Sequence, residues 1–136
     1  SGQTSTVTIM LPENMELYRQ KMTEYSQIDG VDPLLTTNFA PQKVLVPNKK
    51  DLEKISVNTA LNGINLGGGP ERAEVAYLKI ENKTAYVLLN IDLDGWAGVS
   101  TAIAITHPIV EKTLLQSPTI ESVRFEYAPS DSATTK

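Results

Sequence analysis

The stretch "AEVAYLKIENKTAYVLLNIDL", residues 73–93, decides the fold. Two strand-like runs, "AEVAYLKI" and "TAYVLLNIDL", flank the short polar segment Glu81-Asn82-Lys83, the pattern of a β-hairpin. Side chains alternate faces along a strand, so Ala85, Val87, Leu89, Ile91 and Leu93 form one face for burial. Asn90, Asp92 and Asp94 then fall on the other face, towards solvent or a partner. Asn82-Lys83-Thr84 also matches a glycosylation sequon, usable only in a eukaryotic secretory context.

Upstream of the hairpin, "LGGGP" at 66–70 invites reading as a phosphate cradle. A Walker loop needs Gly-Lys-Ser/Thr after its glycines, and Pro70-Glu71-Arg72 follow instead, so the run reads as a flexible connection. Pro47-Asn48 opens a helix that Asn48 can cap, with Asp51 three residues on and Gly63 as a left-handed stop. Val57, Ala60, Leu61 and Ile64 make its buried stripe. Earlier, "LLTTNFAPQKVLV" at 34–46 is a loop followed by a short strand, with Pro41 marking an edge or a break. "STVTIML" at 5–11 is a first strand, and Pro12 sits where a helix would place its first residue. Within 12–27, Met15, Tyr18, Met22 and Tyr25 recur at spacings of three and four, a stripe for the core or a partner face, until "DGVDP" at 29–33 stops the helix.

Downstream, a Gly-rich turn at 95–98 precedes "STAIAITHPIVEKTLLQ", with Ser100 as N-cap and Pro118 as stop. Pro108 conflicts with a helix, because it lacks an N–H and clashes with the preceding turn. The helix is kinked there or starts afresh at Thr106; the kinked form is preferred. "TIESVRFEYAP" alternates Val123, Phe125 and Tyr127 against Arg124 and Glu126, a half-buried strand closed by Pro129, and 128–136 reads as a flexible tail. The expected class is therefore α+β: a small antiparallel sheet with two to three helices packed on it. One domain spans 1–136, with 5–11 as its first strand and a helical insertion at 12–36.

A chain of 136 residues suits one domain, and a 40% hydrophobic share is enough for a core without staples. The net charge of −4 is spread along the chain, with no dense basic patch to neutralise phosphates, so nucleic acid and anionic membrane surfaces are not expected partners. With no Cys there is neither a disulfide nor a thiolate site. No window approaches the length of an apolar membrane span, and "SGQTSTVTIML" lacks a signal peptide's charged start. Composition leaves a cytosolic protein and one whose export segment has been removed both open.

The aspartates were weighed against three chemistries. Asn90-x-Asp92-x-Asp94-Gly95 fits the first positions of a calcium loop, but the twelfth position is Thr101 in place of a bidentate carboxylate, and a strand precedes the loop where a helix is needed. The motif resembles the nucleophile loop of haloacid-dehalogenase-like phosphatases only locally. Trp96 stands where that family carries Thr or Val, and the residues downstream supply Lys112 but no second acidic cluster. Carboxylates two apart on a strand lie about 7 Å from each other, which overlaps inverting glycosidases, yet Trp96 alone makes no sugar platform. His107, the only His, has neither a nucleophile elbow nor fellow zinc ligands and reads as structural.

The order from 43 onward is strand, capped helix, Gly-rich link, hairpin, turn, helix, strand. It resembles the GerMN domain, a module of spore-germination and sporulation proteins and of several bacterial envelope lipoproteins. "TLLQSPTIESVRFEY" at 113–127 is similar to that family's helix end and Val-x-Phe strand, "LKIENKTAYVLLNIDL" to its paired strands, and "KVLVPNKKDLEKISVNTALNGI" to its Pro-led helix. The helix at 12–27 and Pro108 depart from the pattern. The resemblance implies a non-catalytic, extracytoplasmic domain of an envelope or sporulation-type protein, working through protein contacts and self-association, without cofactor or catalytic residues. Asp92, Asp94 and Trp96 are the candidate contact residues, since a Trp in a polar turn can anchor a partner. The rival readings are a metal-dependent hydrolase using Asp92 and Asp94, and a small-ligand sensor with a pocket lined by Met15, Tyr18, Met22 and Tyr25.

Overall fold

The computed structural model describes residues 4–28, 30–47, 50–64, 72–92 and 98–132. Its order is β1 (Ser5–Pro12), α1 (Met15–Ile28), a 3₁₀ turn (Pro33–Leu35), β2 (Phe39–Val46), α2 (Leu52–Ile64), β3 (Arg72–Glu81), β4 (Thr84–Asp92), α3 (Val99–Leu114), β5 (Ser122–Arg124) and α4 (Pro129–Ser132). The class is α+β, as expected.

The hairpin forms as the alternation dictates. Asn82 and Lys83 take φ values of 49° and 65°, the left-handed pair that matches a tight turn to the twist of its strands. Ala85 and Val87 are fully buried and Asn90 and Asp92 exposed. A bulge between Val75 and Tyr77 shifts the register, so Ala73 and Val75 face the core before it and Leu78 after it. Tyr77, Lys79 and Glu81 are thereby turned to the outer face.

The strands divide between two sheets: β1 pairs antiparallel with β2, while β3, β4 and β5 form the second. β5 joins β4 in parallel, over Ser122–Arg124 only, so the second sheet is mixed and not purely antiparallel. The helices bind the sheets together. α2 packs on both β1 and β3, and α3 packs on α1, α2 and β1. Val7, Ile9 and Leu11 of β1, Val57, Ala60, Leu61 and Ile64 of α2, and Ile105, Ile109, Val110 and Leu114 of α3 supply much of one continuous core.

Several boundaries differ from the sequence reading. Pro12 ends β1, and α1 begins at Met15, because Asn14 supplies a better cap: its carbonyl accepts from the Tyr18 N–H and its Oδ1 from the Leu17 N–H, both at 3.0 Å. Asn48 and the glycine run lie outside the described residues, and α2 opens instead on the carbonyl of Asp51, which accepts from the Ile55 N–H at 3.0 Å. Gly63 lies inside α2 and does not stop it; a Cβ there would come within 2.9 Å of Leu11 Cδ1, so the glycine lets α2 approach β1. Ser100 is inside the first turn of α3, whose N-cap is Gly98. Pro129 starts α4 and closes no strand, and residues 128–132 of the expected tail are folded against the hairpin, with Ala128 fully buried.

Pro108 is accommodated in one helix running from Val99 to Leu114. Proline removes the donor that would bond the carbonyl of Ala104. The buried Tyr18 of α1 fills that place: its hydroxyl donates to Ile105 O at 2.7 Å and reaches Ala104 O at 3.4 Å. Burial raises the phenol's pKa and keeps it a donor. The helix at 12–27 is thus part of the core.

Pro41 is equally well placed. The N–H of Met10, its partner in register, points away from β2 and donates to Thr113 Oγ1 at 3.0 Å. The Met10/Pro41 pair is therefore a non-hydrogen-bonded one, and the imide nitrogen faces the open edge where no donor is required.

Candidate functional site

The three residues expected to meet a partner are only partly placed. Asp92 ends β4, exposed, in register with Arg72. Asp94 and Trp96 lie outside the described residues. Among the described residues no three His, Cys, Asp or Glu side chains converge in a way that could hold a metal ion. The Met/Tyr stripe lines no single common cavity: Met22 is closed into the core and Met15 packs against it, the buried Tyr18 borders a cavity of about 140 Å³, and Tyr25 borders a different one.

His107 is placed for packing. Its ring stacks on Phe125, with centroids 3.6 Å apart and planes 8° from parallel. Desolvation lowers its pKa to about 4, so it is neutral at physiological pH and ties α3 to the segment after β5.

The densest polar constellation went unread in the sequence. On the outer face of β3, Tyr77 donates to Asp131 Oδ2 at 2.6 Å and accepts from the Ala128 N–H at 3.1 Å. Lys79 reaches Asp131 Oδ1 at 3.2 Å, Ser130 Oγ at 2.9 Å and Glu81 at 3.3 Å, and Ser130 also bonds Glu81. Tyr127 adds an edge-on contact to the Tyr77 ring at 4.9 Å. Desolvation and the Asp131 hydrogen bond raise the Tyr77 pKa, the same carboxylate raises that of Lys79, and the hydrogen bond from Tyr77 lowers that of Asp131. Each shift deepens the ordinary charge state at neutral pH: phenol, ammonium and carboxylate. The hydrogen bonds of the cluster join α4 to the hairpin as a clamp. The bulge that turns Tyr77 outward, and the sequence distance to Asp131, hid it.

An apolar notch lies at the end of α1. After the helix the chain passes through Gly30, whose φ of 122° is one that side chains disfavour, and Asp32 caps the 3₁₀ turn by accepting from the Leu34 N–H at 2.9 Å. Tyr25, Ile28, Val31 and Pro33 line a cavity of about 340 Å³ with Lys21 and Glu24 among its polar residues. Ile28 is 78% exposed and Val31 77%, with Leu35 on the same turn also at 77%. Ile28 and Val31, so open to water while lining one cavity, make the notch an apolar patch of the kind that marks contact sites, with Leu35 exposed on the adjoining 3₁₀ turn. In the sequence, "DGVDP" signals only the end of the helix, and local spacing does not show what Ile28 and Val31 would cover. No helix is long and apolar enough to cross a membrane among the described residues.

Comparison with protein-family models, curated proteins and solved structures finds no match.

Proposed function

We propose that this chain is a non-catalytic interaction domain that docks on another protein through the notch at the end of α1. The exposure of Ile28, Val31 and Leu35 carries the reading, because leaving such side chains in water has no structural use and covering them removes apolar area from solvent. The polar cluster at Tyr77 adds weight, since its groups serve to hold α4 and are not poised for acid or base work. The resemblance to the GerMN module extends the proposal to an extracytoplasmic assembly role in a bacterial envelope or sporulation-type protein, with self-association as one form of the contact. Asp92, Asp94 and Trp96 remain proposed contact residues.

The test is a photo-crosslinking side chain at position 31, with one at Arg124 on β5 as control, in the native host. The proposal expects an adduct from 31 alone, and its mass separates a second copy from a different partner. Ile28→Asp, combined with the crosslinker at 31, should abolish the adduct while leaving stability within about 0.5 kcal/mol, as exposed sites do. No adduct, or equal adducts from both positions, would overturn the docking surface.

A further inference from the structure

We infer that the groove along the free edge of β1 takes an extended, basic segment of another polypeptide as an added strand. The inference is independent of the apolar notch and rests on backbone geometry. In an antiparallel pair the residues alternate between those that bond across the ladder and those that turn N–H and C=O outward. Met10 is of the outward kind, since its N–H leaves the sheet for Thr113 Oγ1 at 3.0 Å. The register from Ser5↔Val46 to Pro12↔Phe39 has no shift, so Thr8 and Thr6 also face outward, about 7 Å apart. Among the described residues, no hydrogen bond to the backbone of Thr6 or Thr8 comes from outside the β1–β2 ladder. Along that edge Pro12 has no donor and Met10 is taken. Thr6 and Thr8 are left as an unpaired strand template.

The template is recessed. Thr6 and Thr8 form one wall of a groove of about 190 Å³, between Leu52, Glu53 and Ser56 at the start of α2 and Thr113, Leu114 and Gln116 at the end of α3. The opposite edge of the same sheet, on β2, is blunted by Pro41 and the exposed Lys43. Walls on both sides admit a single extended chain and exclude the edge of another folded sheet, which would bring its own packed layers. Main-chain pairing of this type supplies affinity while the flanking walls select side chains. The start of α2 and the end of α3 both border the groove, so their opposite poles offset each other, and Glu53, the one charged side chain among the lining residues, sets the sign. The occupant that fits carries Lys or Arg.

A displayed library of random nonapeptides, selected on the intact domain, tests this. Selected peptides should be basic and should slow hydrogen exchange at the Thr6 and Thr8 amides. They should also lose about tenfold in affinity on Thr8→Pro, which deletes one outward donor in the way Pro12 and Pro41 already do in this sheet. Glu53→Gln should weaken them further. Should Thr8→Pro fail to fold, N-methylation at alternate residues of a selected peptide answers on the parent protein: one alternate set abolishes binding and the other leaves it intact. Failure to enrich any peptide, equal binding to Thr8→Pro, protection appearing at residues 25–36 instead, or Thr6 and Thr8 protection that rises with protein concentration alone would each overturn the inference.

Discussion

The β3–β4 hairpin and the β1–β2 pair are both antiparallel ladders, and they are built on opposite logics. In the hairpin, Asn82 and Lys83 set the register and the alternation of nearby residues sets the faces. In the β1–β2 pair the strands bracket α1 and the 3₁₀ turn, so nothing local sets the register. It is fixed by contacts with α3, far away in sequence: Thr113 receives the Met10 N–H, and Tyr18 occupies the gap that Pro108 opens. The hairpin also has distant connections, such as the Val75 N–H to Asn58 of α2 at 2.8 Å and Tyr77 to Asp131, but they attach to a ladder whose register its own turn sets.

The sharpest way to break this contrast is at Tyr18. Tyr18→Ala empties a fully buried aromatic site and should cost about 3–5 kcal/mol in chemical denaturation. Tyr18→Phe removes only the hydroxyl and should cost about 1–2 kcal/mol. In a Pro108→Ala background position 108 regains its donor, so that cost should shrink by about 0.5–1 kcal/mol. Equal costs in both backgrounds would mean that Tyr18 does not serve the proline gap.

A second measurement compares α3's hold on the other sheet. The folded His107 titrates near 4 and the unfolded one near 6.5, so the folded state binds fewer protons between these values and stability falls as pH drops through that window. Allowing for the partial exposure of the ring, the loss is on the order of 1 kcal/mol. The difference in stability between parent and His107→Leu should change across pH 6.5 to 4 and stay flat above pH 7.5. A flat difference throughout would remove the desolvation argument. The smallest effect belongs to the hairpin alone: Lys83→Gly relieves a left-handed residue and should raise stability by up to about 1 kcal/mol. The Lys83–Glu121 pair it removes, 3.5 Å and exposed, contributes little.

Legibility follows the same division. The hairpin, the buried stripe of α2 and the structural role of His107 were readable because each depends on residues within a few turns or on the chemistry of one side chain. The boundary errors came from reading Pro12 and Gly63 as punctuation. Pro12 closes a strand because Asn14 caps the helix instead, and Gly63 serves a contact with Leu11 that no local pattern announces. Of the candidate contact residues, the sequence placed Asp92 on the exposed face of its strand, while the notch and the Tyr77 cluster stayed hidden. The clamp joins β3 to α4, and the notch exists only once the chain beyond Gly30 folds back beside α1.

The sequence by itself determined the α+β class, the central hairpin and which faces of α2 and β4 are buried, because apolar spacing and turn chemistry act over a few residues. The continuous helix through Pro108 was the form the sequence favoured; only the tertiary structure decided that the strands form two sheets, that β5 runs parallel and that the edge of β1 is left open. Those outcomes depend on which distant donor meets which unpaired acceptor, and on where a glycine or a proline lets two elements approach.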